Sequence, residues 1–247
     1  MVRYAGKSDI GRSRAHNEDA FCIVGGVNGL PLVVAVADGM GGHKAGDIAS
    51  GMAVEAVSAS IMAEPIEDGG YDAVASRLAR IIDEANEVIY RRSLADIECS
   101  GMGTTLIIAA AFDKSLVIAH IGDSCAYHCR ADALQKVTTD HTYVEELVRL
   151  GTLTREEALT HPRRNYITKV VGCTSKVSAD FYNVGLEPGD RVMLCTDGLS
   201  KMLRDSEILA AVYASDDPDT ICASLIEQAN QRGGYDNITA LALIVGE

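Results

Sequence analysis

Acidic residues stand where apolar runs of strand length begin or end: Asp38, Asp123, Asp197 and Asp236. Asp38 closes the run 32–37, and the glycines that follow it let a backbone carbonyl approach a ligand closely. A carboxylate at the end of a buried strand is costly unless it meets a cation, hydrogen-bond donors or water. Each aspartate alone also fits an ordinary Asp-Gly turn. Four strand-end acids are more than turn chemistry usually supplies, so we consider a site for a hard divalent cation.

A dense polar segment, 12–19, precedes the short apolar run 21–24. Arg14 offers a planar fork of donors for a phosphate, and Glu18 and Asp19 could face a metal ion directly or through water. A solvated loop is the commoner fate of such a charge-rich segment. The local sequence does not decide between the two interpretations.

Two helices and a group of strands must position these residues. Apolar residues recur at helical spacing over 48–60 and again over 74–89, which predicts two amphipathic helices. The runs 104–111, 116–121, 126–130 and 134–137 then follow with connections so short that they indicate antiparallel hairpins. Two successive helices between groups of strands suit a layered protein in which helices cover a sheet face.

Composition limits the class of protein. The chain has 247 residues and no low-complexity segment, so one domain spanning 1–247 is expected. Its net charge of -13 disfavours nucleic acid and anionic membrane surfaces as partners. It shows neither a signal peptide nor an apolar run of membrane-spanning length, and we expect a cytoplasmic location.

Cysteine usage agrees with a reducing compartment. The seven cysteines are odd in number and scattered, as expected of buried cytosolic thiols. Cys125 and Cys129 flank His128, but no C-x-x-C pair accompanies them and strand alternation explains their spacing equally well. A zinc site is therefore not expected there.

Six short motifs follow one another along the chain: R-x-x-x-E-D at 14–19, A-D-G-M-G-G at 37–42, G-M-G-T-T at 101–105, G-D-S at 122–124, T-D-G-L at 196–199 and D-N-I-T at 236–239. Each motif is weak alone, but together they closely resemble the metal-dependent type 2C serine/threonine protein phosphatases over nearly the whole chain. The segment 140–172 resembles the flap of the small bacterial members, and Thr154 with Glu157 predicts a helix-capping box there. The resemblance implies the α+β class: a four-layer α-β-β-α sandwich with two central antiparallel sheets, a flap, and a metal site at one end of the sheets.

The resemblance also implies roles for individual residues. Asp38 would bridge two Mn²⁺ or Mg²⁺ ions, one of them also bound by the carbonyl of Gly39, and Asp197 and Asp236 would complete the pair. The resemblance further implies that Glu18 and Asp19 bind the metal ions through water and that Asp123, with Asp197, binds a weaker third cation. It also implies that Arg14 binds the substrate phosphate and that Asn237 steadies Asp236.

General chemistry explains why such a reaction needs these residue types. Clustered carboxylates repel one another in a poorly solvated pocket unless divalent cations lie between them, and hard oxygen ligands select Mg²⁺ or Mn²⁺ over zinc. A water that bridges two such ions is hydroxide-like near neutral pH and can attack phosphorus in line. No covalent phosphoenzyme is then required. The histidine that some family members carry after Asp-Gly is Met40 here, which excludes a general-acid histidine at that position.

Two positions depart from the family pattern. Lys201 stands where the family often has Asp, and Cys125 stands where the G-D-S motif is usually followed by Arg. A lysine so close to the acids would weaken the third cation site, whereas neither change touches the ligands of the two core ions. We therefore expect activity.

Three functions are compatible with this sequence. The first is a monomeric, Mn²⁺- or Mg²⁺-dependent phosphatase of phosphoserine and phosphothreonine in proteins, opposing a bacterial Ser/Thr kinase. The second is a catalytically weak regulator that binds phosphoproteins, for which Lys201 and Cys125 are the sequence support. The third is a phosphatase of small phosphate esters, or of anti-sigma-factor antagonists.

Overall fold

The computed structural model describes residues 2–26, 31–41 and 45–246. Gly42 of the second motif and His43, which follows it in sequence, lie outside the described residues.

Strands and helices alternate in groups along the chain. The strands are β1 (Val2–Asp9), β2 (Asp19–Val24), β3 (Leu32–Met40), β4 (Gly103–Thr104), β5 (Leu106–Ala111), β6 (Ser115–Ile121), β7 (Cys125–Arg130), β8 (Ala133–Lys136), β9 (Asp180–Gly185), β10 (Arg191–Cys195) and β11 (Ile238–Val245). The helices are α1 (Ala45–Ala63), α2 (Tyr71–Ala95), α3 (Tyr143–Arg149), α4 (Arg155–Thr160), α5 (Asp197–Ser200), α6 (Asp205–Tyr213) and α7 (Pro218–Gln231), with a 3₁₀ turn at Ile97–Cys99.

The strands form two antiparallel sheets. One has the order β1-β11-β10-β7-β8, and the other has the order β2-β3-β5-β6-β9 with β4 paired to β3. Three buried clusters separate four layers: α1 and α2 cover the second sheet, the two sheets face each other, and α5 to α7 cover the first. The predicted α-β-β-α sandwich is therefore confirmed.

The central strands read as unbroken apolar runs because both of their faces are covered. In β3, Val33, Ala35 and Ala37 face the helices, whereas Val34 and Val36 face the opposite sheet. All of β11 is buried in the same alternating way. These strands hold the acids at their ends in fixed positions.

Two strand boundaries matter for the site. Strand β2, which contains the apolar run 21–24, already begins at Asp19. Asp19 therefore lies directly opposite Asp38 in the β2–β3 ladder. The expected strand 104–111 is interrupted at Thr105, whose N–H donates to the carbonyl oxygen of Asp38 at 2.9 Å. The prediction of one continuous strand over 104–111 was wrong because the backbone of Thr105 pairs with Asp38 instead of continuing the ladder of β5.

The segment 140–172 contains α3 and α4. An isolated bridge between Thr142 and Ile167 connects the two arms of the segment, and a second one between Thr104 and Val171 joins the segment to β4. The predicted capping box is confirmed, since the Thr154 N–H donates to Glu157 Oε2 at 2.8 Å and the Glu157 N–H donates to Thr154 Oγ1 at 3.2 Å. None of the helices within the described ranges combines the length and apolarity needed to cross a bilayer.

Candidate metal centre

Asp19 is a buried carboxylate that links the two sheets. Its Oδ2 accepts hydrogen bonds from Thr196 Oγ1 at 2.9 Å and Thr239 Oγ1 at 2.7 Å, whereas its buried Oδ1 has no partner among the described residues. Burial is the largest cause that raises the pKa of Asp19 to about 7, and the charges of Asp197 and Asp236 act in the same direction. An unpaired buried carboxylate oxygen is a place where a cation or water is needed.

Asp38 is fixed through its backbone. Its N–H donates to Thr105 Oγ1 at 2.9 Å, and its carbonyl oxygen accepts from Thr104 Oγ1 at 2.9 Å. Burial and then the charges of Asp19, Asp197, Asp123 and Asp236 raise the pKa of Asp38 well above its ordinary value. The backbone is thus held rigidly while the carboxylate faces several other acids.

Glycines let the chain close tightly around Glu18. The Gly39 N–H donates to the carbonyl oxygen of Glu18 at 3.0 Å, and a Cβ on Gly39 would overlap the carbonyl of Gly46. A Cβ on Gly46 would in turn overlap the Glu18 carboxylate. Because neither glycine has a side chain, the start of α1 approaches the ends of β2 and β3.

Asp197 and Asp236 come together through Gly198 and Asn237. A Cβ on Gly198 would overlap the carbonyl oxygen of Asn237 and lie 3.2 Å from the Asp236 Cβ. The Asn237 N–H donates to Asp236 Oδ1 at 2.9 Å, and its Oδ1 accepts the Glu18 N–H at 2.8 Å. The Asn237 Nδ2 donates to the carbonyls of residues 10 and 16, both at 2.9 Å, so Asn237 fastens the polar segment 12–19 to the start of β11.

Two basic side chains lie among these acids. Arg14 Nη2 is 2.8 Å from Asp236 Oδ2, and Arg14 Nη1 is 3.8 Å from Glu18 Oε2. Lys201 Nζ contacts Asp197 Oδ2 and lies 3.4 Å from Asp123 Oδ2. With the acids paired in this way, no three acidic, histidine or cysteine side chains of the described ranges converge as a formed ion site.

The donor set nevertheless fits hard cations at one end of the sheets. Asp19 and Asp123 each keep a buried oxygen that has no partner within the described part of the chain, and the Asp38 carboxylate lies among like charges. Oxygen donors of this kind suit Mg²⁺ and Mn²⁺. Asp19 pairs with Asp38 in the β2–β3 ladder, and the charges of Asp123, Asp197 and Asp236 also act on Asp38, so these predicted acids of the described ranges lie near one another without converging as a formed ion site. Arg14 contacts Asp236 and Glu18 beside them.

Sequence reasoning did not single out the threonines that hold these acids. Thr105, Thr196 and Thr239 each hydrogen-bond to Asp38 or Asp19. Thr196 and Thr239 do lie inside the T-D-G-L and D-N-I-T motifs, which is the signal that could have identified them. Their bonds to Asp19 cross from one sheet to the other, so no local pattern reveals them.

The metal-free protein is expected to lose stability as the pH rises from about 4 to about 7. Between the ordinary pKa of an aspartate, 3.8, and about 7, folded Asp19 keeps a proton that the unfolded chain has released. Folding then takes up protons, so the free energy of unfolding falls with increasing pH. Asp123, whose pKa burial raises to about 6, contributes with the same sign.

Thermal unfolding in EDTA at several pH values measures this effect, with Asp19→Asn as the variant expected to flatten the dependence. Saturating Mn²⁺ should oppose the trend, because cations bind the deprotonated carboxylates. A metal-free protein whose stability rises across this pH range would contradict the prediction.

Comparison with known proteins gives consistent matches. The profile of the family described as Protein phosphatase 2C matches residues 5–228. The serine/threonine phosphatase stp of Listeria monocytogenes serotype 4b is 37% identical over 242 residues, which are 95% of this chain and 92% of that protein.

Solved structures agree over the same length. The serine/threonine phosphatase of S. agalactiae is 33% identical, with a TM-score of 0.93 over 99% of this chain and 100% of that one. The catalytic domain of the serine/threonine protein phosphatase PstP, in complex with two manganese ions, is 33% identical, with a TM-score of 0.85 over 100% of this chain and 99% of that one.

Proposed function

The chain belongs to the protein phosphatase 2C family and is a serine/threonine phosphatase of the bacterial type, and we propose that it hydrolyses phosphoserine and phosphothreonine in proteins with the help of two divalent cations. The observation that carries the metal dependence is the buried position of Asp38 among other acids, since burial and then the charges of those acids raise its pKa. Such a group is strongly self-repelling until cations neutralise it. The manganese ions in the PstP structure support the same proposal.

Asp38, with the carbonyl of Gly39, Asp197 and Asp236, would hold the two core cations. Glu18 and Asp19 would bind water molecules around them. Bound Mn²⁺ or Mg²⁺ would supply Lewis acidity and a water activated for direct attack on phosphorus. No side-chain nucleophile is then needed, which agrees with the burial of Cys125 and Cys195.

Arg14 would bind the substrate phosphate. Its side chain is 46% exposed at the site, so a phosphoester can reach the guanidinium group. The guanidinium group presents several N–H donors in one plane, which matches phosphate oxygens. Its present contacts with Asp236 and Glu18 place this charge beside the acids that would hold the cations.

We further propose that the enzyme acts as a monomer in the cytoplasm and opposes a Ser/Thr kinase. All seven cysteines are free, which suits a reducing compartment. A phosphatase of phosphoserine and phosphothreonine implies a kinase that makes them. Segment 140–172, proposed as a flap, lies next to the site because the His141 N–H donates to the carbonyl oxygen of Gly122, the residue before Asp123.

Phosphate release from a phosphothreonine peptide tests this function. After EDTA treatment we expect no activity, and we expect Mn²⁺ or Mg²⁺ to restore it in the natural chain but not in Asp236→Ala. Competition between the peptide and a small aryl phosphate distinguishes a protein phosphatase from a phosphatase of small esters. A folded chain that binds the peptide but releases no phosphate with any metal would contradict the proposal and support a phosphoprotein-binding regulator.

A further inference from the structure

Lys201, the residue that follows the short helix α5, contacts two carboxylates. It follows Asp197 by one helical turn, and its Nζ contacts Asp197 Oδ2. The same Nζ lies 3.4 Å from Oδ2 of Asp123, which is 78 residues away in sequence. The Lys201 side chain is 42% exposed, whereas that of Asp123 is only 3% exposed. One ammonium group thus lies between two carboxylates from different elements.

The surroundings of Asp123 fix the backbone turn that carries it. The Gly122 N–H donates to His141 Nδ1 at 3.0 Å, and a Cβ on Gly122 would overlap Thr105. Ser124, on the other side, shares a 2.8 Å hydrogen bond with Thr105 Oγ1. The Asp123 carboxylate is buried, and a buried carboxylate is destabilising unless a positive charge or hydrogen-bond donors lie beside it.

Among the described residues, Lys201 is the basic residue that forms a salt bridge with Asp123. Lysine is ordinarily protonated near neutral pH, so Lys201 brings a positive charge to both carboxylates. An exposed salt bridge between residues one helical turn apart contributes little to stability. The contact of Lys201 with Asp123 differs, because the Asp123 side chain is only 3% exposed.

We propose that Lys201 is a tethered cation that occupies the space between Asp123 and Asp197 and so excludes a divalent ion from that carboxylate pair. This proposal rests on the function proposed above, in which divalent cations bind around Asp38. A divalent ion between Asp123 and Asp197 would have to displace the ammonium group from both acids, or it would be repelled by that group's positive charge. The chain would therefore bind cations around Asp38 and Asp236 and none between Asp123 and Asp197. Lys201 is a positioning residue for Asp197 rather than a catalytic one.

Metal stoichiometry tests the proposal without relying on turnover. Equilibrium dialysis against Mn²⁺, with metal analysis of the dialysed chain, is applied to the natural chain, Lys201→Asn and Lys201→Arg. We expect Lys201→Asn to bind one more Mn²⁺ per chain than the natural chain at high Mn²⁺, in a weaker step. We expect Lys201→Arg, which keeps the charge, to bind the same number as the natural chain.

Lys169→Asn is the matched control, because Lys169 pairs with Asp180 at 2.7 Å and its removal changes the net charge equally. A second readout is the thermal unfolding temperature in EDTA, which should fall in Lys201→Asn as Asp123 loses its counter-charge and should be retained in Lys201→Arg. Equal Mn²⁺ stoichiometry in the natural chain and in folded Lys201→Asn would overturn the proposal.

The proposal and the proposed function can fail separately. A natural chain that binds no Mn²⁺ would contradict the metal-dependent function. The comparison between the natural chain and Lys201→Asn would still decide the role of Lys201. A gain of Mn²⁺ in the variant supports the tethered cation, and the absence of any gain overturns it.

Discussion

Asp38→Asn is expected to lose nearly all turnover while the metal-free chain folds at least as stably as the natural one. The substitution removes a carboxylate that would bridge two cations. Even the loss of a residue that only hydrogen-bonds to a metal ligand typically lowers metal affinity or activity by about 10–100-fold. We therefore expect kcat on a phosphothreonine peptide to fall by at least about 100-fold. Stability should not fall, because a neutral amide avoids both the burial of a charge and the repulsion by neighbouring acids that raise the pKa of Asp38.

Turnover, Mn²⁺ binding and thermal unfolding in EDTA measure the three parts of this prediction. Asp83→Asn is the matched control, because Asp83 lies exposed on α2 and the substitution makes the same chemical change. The control should behave like the natural chain in all three measurements. Undiminished turnover of Asp38→Asn would exclude Asp38 as a bridging ligand.

The sequence was most informative where a strand is covered on both faces. The run 32–37 is wholly apolar because β3 lies between the helices α1 and α2 and the first sheet, and that same run marks Asp38 as a strand-end acid. The four-layer arrangement itself came from the resemblance of six motifs to a family, since strand and helix patterns alone indicated only a layered protein. β9 was not predicted, because its partly exposed sequence lacks an apolar run.

Contacts between distant elements lay beyond what the sequence could predict. The segment 12–19 suited a solvated loop as well as a site, and only the fold shows Thr196 and Thr239 closing on Asp19. Lys201 could be placed one helical turn from Asp197 by counting residues, but its second contact with Asp123 requires the β6–β7 turn to be in place. Residue type and spacing therefore identified the acids, whereas the tertiary structure identifies what holds and neutralises them.

Gly198→Ala is expected to destabilise the chain and to remove activity, because its methyl group would collide with backbone. The new Cβ would overlap the Asn237 carbonyl oxygen, and Asn237 is held by its own side chain to residues 10 and 16. Overpacking of this kind typically costs about 1–3 kcal/mol, and a clash with fixed backbone belongs at the upper end. The collision would push Asp197 away from Asp236, so kcat should fall even in the folded fraction.

Gly51→Ala is the matched control for Gly198→Ala, because it makes the same chemical change and is expected to stabilise the chain rather than destabilise it. Gly51 lies within α1, and a Cβ there would have no neighbour within 4 Å. Alanine in a helix interior is favoured over glycine by about 0.5–1 kcal/mol, so this variant should be slightly more stable and fully active. Urea unfolding of both variants in EDTA, together with turnover in Mn²⁺, makes the comparison. Equal stability and turnover of Gly198→Ala and Gly51→Ala would contradict the prediction. It would mean that the close approach of Gly198 to Asn237 does not position Asp197 and Asp236.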